Sequence, residues 1–302
     1  MINQFFKQIP ISRNLLRAVL QFFTTMILFC FLITFLPDSS AIDKTQFERF
    51  TEYLTILATL DFGYSTYYGD PIWEIVVDSG IKTLFLIFSA ILFIILLAIP
   101  LSLYTAFNEN RLFARWIKKS LFIISSIPIL VVAIAIVALS VGFLGIMPEF
   151  NLFYDGDKIQ KWIVLTLPVI AIILGDGILF SVFETLTEKI KKISKEPWIK
   201  GIQARGGDIK KHILRGVTET LIVSVSGKAT FLISGIIVVE LVFNWHGLGF
   251  VLLDIFSSTG QKDYPLLIAV MMLILLFVQF SGFIRTFTLV KMNPEKKISS
   301  GV

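Results

Sequence analysis

KEPWIKGIQARGGDIKKHILRG, residues 195–216, is the longest strongly charged stretch of an otherwise oily chain. It holds six Lys or Arg residues, two acids, and glycines at 201, 206 and 207. Its local pattern is helical. Pro197 suits the first turn of a helix, where its missing N–H costs nothing. Glu196 before it is favourable beside the positive helix end. Trp198, Ile202 and Arg205 recur at spacings of four and three and so share one face. Gly206 readily takes the left-handed conformation that stops a helix. A second helical start is expected at Asp208, with Lys210, Lys211 and Arg215 leading into apolar sequence. The segment therefore predicts a short capped helix with an aromatic and aliphatic ridge between basic flanks. Such a helix could lie on anionic membrane lipid or dock into a groove on a protein partner.

The surroundings of this segment are those of a membrane protein. Of 302 residues, 55% are hydrophobic and 16% charged, against about 25% charged in a soluble domain. Six runs are long enough for a bilayer crossing, which takes about 20 apolar residues. They cover residues 18–36, 84–106, 120–144, 162–183, 221–243 and 266–287. Each must be helical, because unpaired backbone groups are too costly in hydrocarbon. The alternation of a barrel strand is absent. The first run has 19 residues; a signal peptide's apolar core has roughly 7–15, and no small-x-small cleavage site follows here. It is read as a retained span. The expected fold is an all-α integral membrane protein with six transmembrane helices, one membrane domain over residues 1–302.

Orientation follows from Lys and Arg. The N-terminus, residues 107–119, residues 186–218 and the tail carry 19 of them, and the alternate loops carry 6. This split places both termini in the cytoplasm. Residues 37–83 then form an outer loop, and 186–218 a cytoplasmic loop that carries the charged segment. The net charge of +5 reflects those cytoplasmic loops and not a nucleic-acid partner. Within the outer loop, Phe47, Phe50, Leu54 and Leu57 recur at helical spacing and predict a short amphipathic helix.

Four charges, Asp176, Lys228, Glu240 and Arg285, fall inside predicted spans, and Glu184 lies near a span end. A central charge costs about 2.5–3.5 kcal/mol on insertion scales, so each should face a partner, the bundle interior or a polar route. Asp176, flanked by Gly175 and Gly177, could pair with Lys228 between spans four and five. Alternatively, these groups line a translocation path. Pro100 and Pro128 are read as kinks held by neighbouring helices. The single cysteine, Cys30, and the separated His212 and His246 offer neither an internal disulfide nor a metal-ligand pattern. No G-x-x-x-x-G-K-[ST], G-x-S-x-G or H-E-x-x-H occurs. The chain carries no visible energy source of its own. It is either passive, an ion-coupled carrier using Asp176 and Glu240, or driven by a partner.

Residues 198–206, Trp-x-x-x-Ile-Gln-Ala-Arg-Gly, resemble the EAA-type coupling loop of ABC-importer permeases in the dipeptide/oligopeptide/nickel branch. There the pattern runs approximately Tyr-x-x-x-Ala-Arg-Ala-Lys-Gly. Ala204, Arg205 and Gly206 match, whereas Ile202 and Gln203 depart. Other stretches agree in order: the apolar run ending at Pro37, Asp61-Phe62-Gly63-Tyr64-Ser65, Glu240 to Gly249, and Asp263-Tyr264-Pro265. His246 stands where the family has proline. Asp176 and Leu179 stand where arginines are common. The resemblance implies a type I ABC importer permease fold in the bacterial cytoplasmic (inner) membrane, with a cytoplasmic coupling helix between spans four and five. It implies ATP-driven import, of peptides first and of nickel or another metal chelate as the alternative. Implied partners are a homologous second permease, two cytosolic ABC ATPases, an extracytoplasmic substrate-binding protein and membrane lipid. The chain itself would be no enzyme and would bind no metal or cofactor, with ATP and Mg held by the ATPases. Glu196, Trp198, Ile202, Ala204, Arg205 and Gly206 would couple it to them, Trp198 and Ile202 filling the ATPase groove.

Overall fold

The computed structural model describes residues 10–36, 44–145, 158–207, 209–257 and 262–292. The helix start expected at Asp208, the span exit at Pro37 and the loop residues 147–157 lie outside them. Among the described residues the chain is helical apart from turns and one isolated bridge, Tyr64 to Pro71. The helices are α1 (Pro10–Ile33), α2 (Gln46–Thr59), α3 (Ile72–Phe107), α4 (Leu112–Ser125), α5 (Ile129–Leu139), α6 (Lys158–Leu174), α7 (Ile178–Ser194), α8 (Pro197–Ala204), α9 (Ile209–Gly227), α10 (Ala229–Val242), α11 (Leu248–Ser257) and α12 (Tyr264–Met292).

Four stretches are long and apolar enough to cross a bilayer without a sharp bend: Leu16–Ile33, Ile72–Phe107, Trp162–Ser194 and Tyr264–Leu289. Two more crossings are bent pairs. Leu112–Ser125 meets Ile129–Phe143 at 98°, and His212–Gly227 meets Ala229–Val242 at 48°. Counting each pair as one span gives six.

The helices overrun the apolar stretches that announce them. The second span was expected from residue 84, yet α3 begins at Ile72 and runs for 36 residues, roughly 54 Å at 1.5 Å per residue. Its first turns carry Glu74, Asp78 and Lys82. Asp78 and Lys82 pair at 2.6 Å one turn apart, which supports a helix that hydropathy alone ends too early. Likewise α7 continues to Ser194, burying Leu186, Ile190 and Ile193 while its lysines stay outside. The expected loop 186–218 is thus mostly helix.

The third span differs most from expectation. Residues 120–144 are expected to form one crossing kinked at Pro128, but Pro128 ends the helix outright. Proline lacks the N–H for the preceding turn and clashes with the carbonyl four residues back. Ser125 and Ser126 add to the break by donating to the Phe122 carbonyl at 2.7 and 3.1 Å, a bond that competes with the helix ladder. Pro100 lies within α3 without ending it.

The amphipathic helix α2 forms as expected. Thr45 caps it reciprocally with Glu48, whose carboxylate accepts from the Thr45 N–H at 2.7 Å. Its inward face is rotated from the expected one: Arg49 and Tyr53 are buried and Phe47 is exposed. Arg49 donates to the Leu36 carbonyl at 3.1 Å, which holds its guanidinium inside.

Two apolar clusters organise the bundle. One is built from the second half of α3 with α5, α6, α7, α9 and α10. The other joins α1, α2, the start of α3, α11 and α12. Leucines, isoleucines and phenylalanines of α1 such as Leu20, Phe23, Ile27 and Phe31 point outward. That is the expected surface of a helix whose solvent is lipid.

Candidate functional site

On the basic face, α8 bridges α7 and α9. Pro197 is its first residue, and the Glu196 carbonyl accepts from the Ile199 N–H at 3.1 Å. At the other end Gly206 has φ +70°, and the Gly207 N–H donates to the Ile202 carbonyl at 3.0 Å. This is the glycine-stopped helix end that the sequence predicts. Gly207 is needed for a separate reason: a Cβ there would lie 2.7 Å from Ile202 Cγ2.

The helix has two faces. Ile199 is 3% exposed and joins the main core cluster, with Ile202 packed against it. Trp198 is 48% exposed, and Ala204 and Arg205 are exposed too. The expectation that Ile202 stands outward beside Trp198 is corrected. Ile202 serves the inner face, and Trp198 and Arg205 form the outer one. Nothing in the residue pattern beyond its three-residue spacing from Ile202 marked Ile199 as the anchor. The flanking helices are tightly apposed: a Cβ at Gly216 of α9 would lie 2.8 Å from Ile193 Cδ1 of α7.

At the opposite face, Glu240 is 0% exposed and fully engaged. Thr83 of α3 donates to Oε1 and the Gly249 N–H donates to Oε2, both at 2.6 Å. Thr83 in turn accepts from the Leu248 N–H at 2.9 Å. One carboxylate thus caps α11 and ties it to α3. Gly249 permits the approach, since its Cβ would lie 2.7 Å from Ile237 Cα. A Cβ at Gly247 would collide with the Glu240 carboxylate. Asp263 plays a similar part. It caps α12 by accepting from the Leu266 N–H at 3.1 Å, and it accepts from Ser65 at 2.7 Å and the Thr66 N–H at 2.9 Å. Nearby, burial and the Asp254 carboxylate push the Tyr68 hydroxyl above its ordinary value.

A family model described as binding-protein-dependent transport system inner membrane component matches residues 98–288. The chain belongs to this family. It is 24% identical over 246 residues to the glutathione transport system permease protein GsiC of Salmonella choleraesuis, covering 80% of this chain and 76% of that protein. The GsiC protein of Escherichia coli K12 is 23% identical over 244 residues, covering 77% and 73%. The fold is accordingly that of a type I ABC importer permease, the non-enzymatic, multi-pass inner-membrane subunit of such a system.

The permease does not pair Asp176 with Lys228. Asp176 lies in a 3-10 turn, Gly175–Gly177, with φ 51°. Its Oδ1 accepts from the Ile129 N–H at 3.0 Å, capping α5 where Pro128 breaks span three. The turn of span four and the break of span three are interlocked: Cβ atoms at Gly175 and Gly177 would lie 2.7 Å from Ile129 and 3.0 Å from Ser125. Lys228 stands at the bend between α9 and α10, its Nζ 5.4 Å from the Phe231 ring centre. Among the described residues, Asp176 stays exposed, as does Arg285 within the last span, whereas Glu240 is consumed by structure. Thr83 and Ile129, the partners of these carboxylates, are 157 and 47 residues away, and no local pattern in the sequence announces them.

Proposed function

We propose that the permease forms one half of the membrane pathway of an ATP-driven importer for peptide-like solutes, and that α8 is the element through which cytosolic ABC ATPases drive it. The observation that carries this reading is the two-faced α8. Ile199 and Ile202 fix it to the bundle, and Trp198 and Arg205 are left at the surface. Family membership supports ATPase and binding-protein partners in general. The specific assembly proposed is a second, homologous permease, two ATPases that hold ATP and Mg, and an extracytoplasmic binding protein. The 19-to-6 distribution of basic residues supports a cytoplasmic α8 and cytoplasmic termini. Glutathione, the cargo in the relatives' names, is itself a peptide, which favours peptide over a metal chelate.

The packing also supports a route for force. Because α8 is anchored to the core and α7 lies tightly against α9, the three helices would move as one unit. The spans they feed are interrupted just above, at Gly175–Gly177 and at Lys228. Closure of the ATPases would swing this unit about those two breaks and switch the path from outward- to inward-facing. Local unwinding of the backbone at membrane depth is tolerated where it is buried in protein or lines a cavity. Asp176, on the first break, would then face the path.

Cross-linking tests the docking role. The one native thiol, Cys30, is buried, so an introduced cysteine reports on its own site. In the assembled transporter, W198C is expected to join to an ATPase subunit and I199C to remain unlinked. A W198C that links only to the second permease or to lipid would contradict the docking role.

A further inference from the structure

The 98° break in span three sets α4 apart from α5. At 14 residues, or roughly 21 Å, it is too short to span. It packs antiparallel along α7, with Lys118 beside Glu184, Phe122 beside Phe180 and Ser125 against Gly177, and carries three distinct faces. Ala114 is buried, with Ile117 and Leu121 packed on the main core. Leu112, Phe113, Trp116 and Ile123 form a second stripe pointing away from the protein, and Trp116 is 73% exposed. The third face holds Arg115, Lys118, Lys119 and Phe122. It forms, with Phe180 and Glu184 of α7, a cleft of about 440 Å³. Phe122 and Phe180 meet edge to face at 5.7 Å. Glu184 pairs with Lys118 at 3.1 Å, so three cationic side chains stand against one carboxylate.

We propose that this cleft binds the phosphate of an anionic phospholipid, whose acyl chains lie along Phe122, Phe180 and the outward stripe of α4. The ligand is read from the two halves of the site together. A phosphate accounts for Arg115 and Lys119, which Glu184 leaves unbalanced. Hydrocarbon accounts for the aromatic floor and for a stripe of large apolar side chains directly beside the cations. A cytosolic acidic protein would match the cations and leave Leu112, Phe113 and Trp116 in water. An amphipathic helix with aromatic residues on one side and Lys or Arg on the other is suited to the headgroup boundary, where the aromatic rings and the long cationic stems each reach their own medium. Basic pockets between helices on the cytoplasmic side are suited to anionic headgroups. Occupancy would steady the α4–α7 junction immediately below the interlocked breaks of spans three and four. The inference takes its cytoplasmic placement from the orientation proposed above.

The test is lipid retention by the intact transporter. It is held in nanodiscs of phosphatidylcholine mixed with phosphatidylglycerol in both leaflets, so the result does not depend on which face is cytoplasmic. Mass spectrometry of the released complex should show phosphatidylglycerol retained in preference to phosphatidylcholine. Removing charge with K119Q should lower that preference about fivefold, and R115Q with K119Q more. F122A should weaken retention of both lipids without changing the preference. Each variant must elute as an assembled complex, and K119Q, at an exposed residue, serves if R115Q fails to assemble. Unchanged preference in K119Q would overturn the proposal. So would displacement of the lipid by inorganic phosphate alone, which would show an anion site with no use for acyl chains.

Discussion

The two ends of this permease use charged motif residues in opposite ways. At the end opposite α8, Glu240 and Asp263 are buried to 0% and 2% exposure; Glu240 spends its two carboxylate oxygens on α3 and α11, and Asp263 spends its own on the first turn of α12 and the Ser65–Thr66 turn. At the basic end α8 buries only Ile199 and part of Ile202, leaving Trp198 and Arg205 at the surface. A motif can therefore mark a joint as readily as a contact site. Burial and partner count distinguish them: a carboxylate whose acceptors are filled from within has nothing left for a solute, whereas Trp198, exposed on an anchored helix, is left available to a partner.

The contrast predicts that substitutions at the Glu240 end cost stability and those at the basic end cost coupling. The largest loss is expected for E240A. It strands the Thr83 hydroxyl and the Gly249 N–H, and about 1–3 kcal/mol is lost for each buried group left unpaired. Thermal unfolding of the purified permease should show it, and a variant as stable as wild type would break the comparison. G249A should cost less, about 1–3 kcal/mol, because its methyl must displace the α10 backbone at Ile237. D176A should cost about 1 kcal/mol as a lost cap, and D176N little, since an asparagine oxygen can still accept from Ile129. If D176N impairs uptake while keeping wild-type stability, the Asp176 charge acts in the path beyond its capping role.

How much of this was legible beforehand varies with distance along the chain. The ends of α8 could be read from Pro197 and Gly206 because capping is local. The six crossings could be read because a bilayer demands length and apolarity. Glu240 and Asp176 could be found but not understood, since their partners Thr83 and Ile129 come from other spans. The break at Pro128 was marked only as a kink, because proline alone does not say whether neighbours will hold the helix together. In α3, Pro100 stays within a continuous helix. In span three, two serines and the Asp176 cap stabilise the separated ends. α4 was hidden for a different reason: its first half looks like a basic loop and its second like the start of a span.

The smallest effect is expected at α2. Hydrogen bonds from Thr45 hold the Glu48 carboxyl below its ordinary value of 4.5. A carboxylate depressed in the folded state contributes stability above its unfolded pKa and loses it as pH falls through the folded one. The first turn of α2 should thus begin to fray below about pH 4.5, seen as a fall in amide protection, measured against the intrinsic exchange rate at each pH, at Glu48 and Arg49, with the bundle unchanged. Equal protection at neutral and acid pH would mean that the capping box does not secure this helix.

The central claim is that Trp198 is a contact for the ATPase and not a piece of the core. It is tested most directly by substrate-stimulated ATP hydrolysis in the reconstituted transporter carrying W198D. The account predicts a permease whose unfolding is within about 0.5 kcal/mol of wild type, still assembled with its binding protein, in which substrate no longer stimulates hydrolysis. Full stimulation in W198D, with uptake intact, would contradict it.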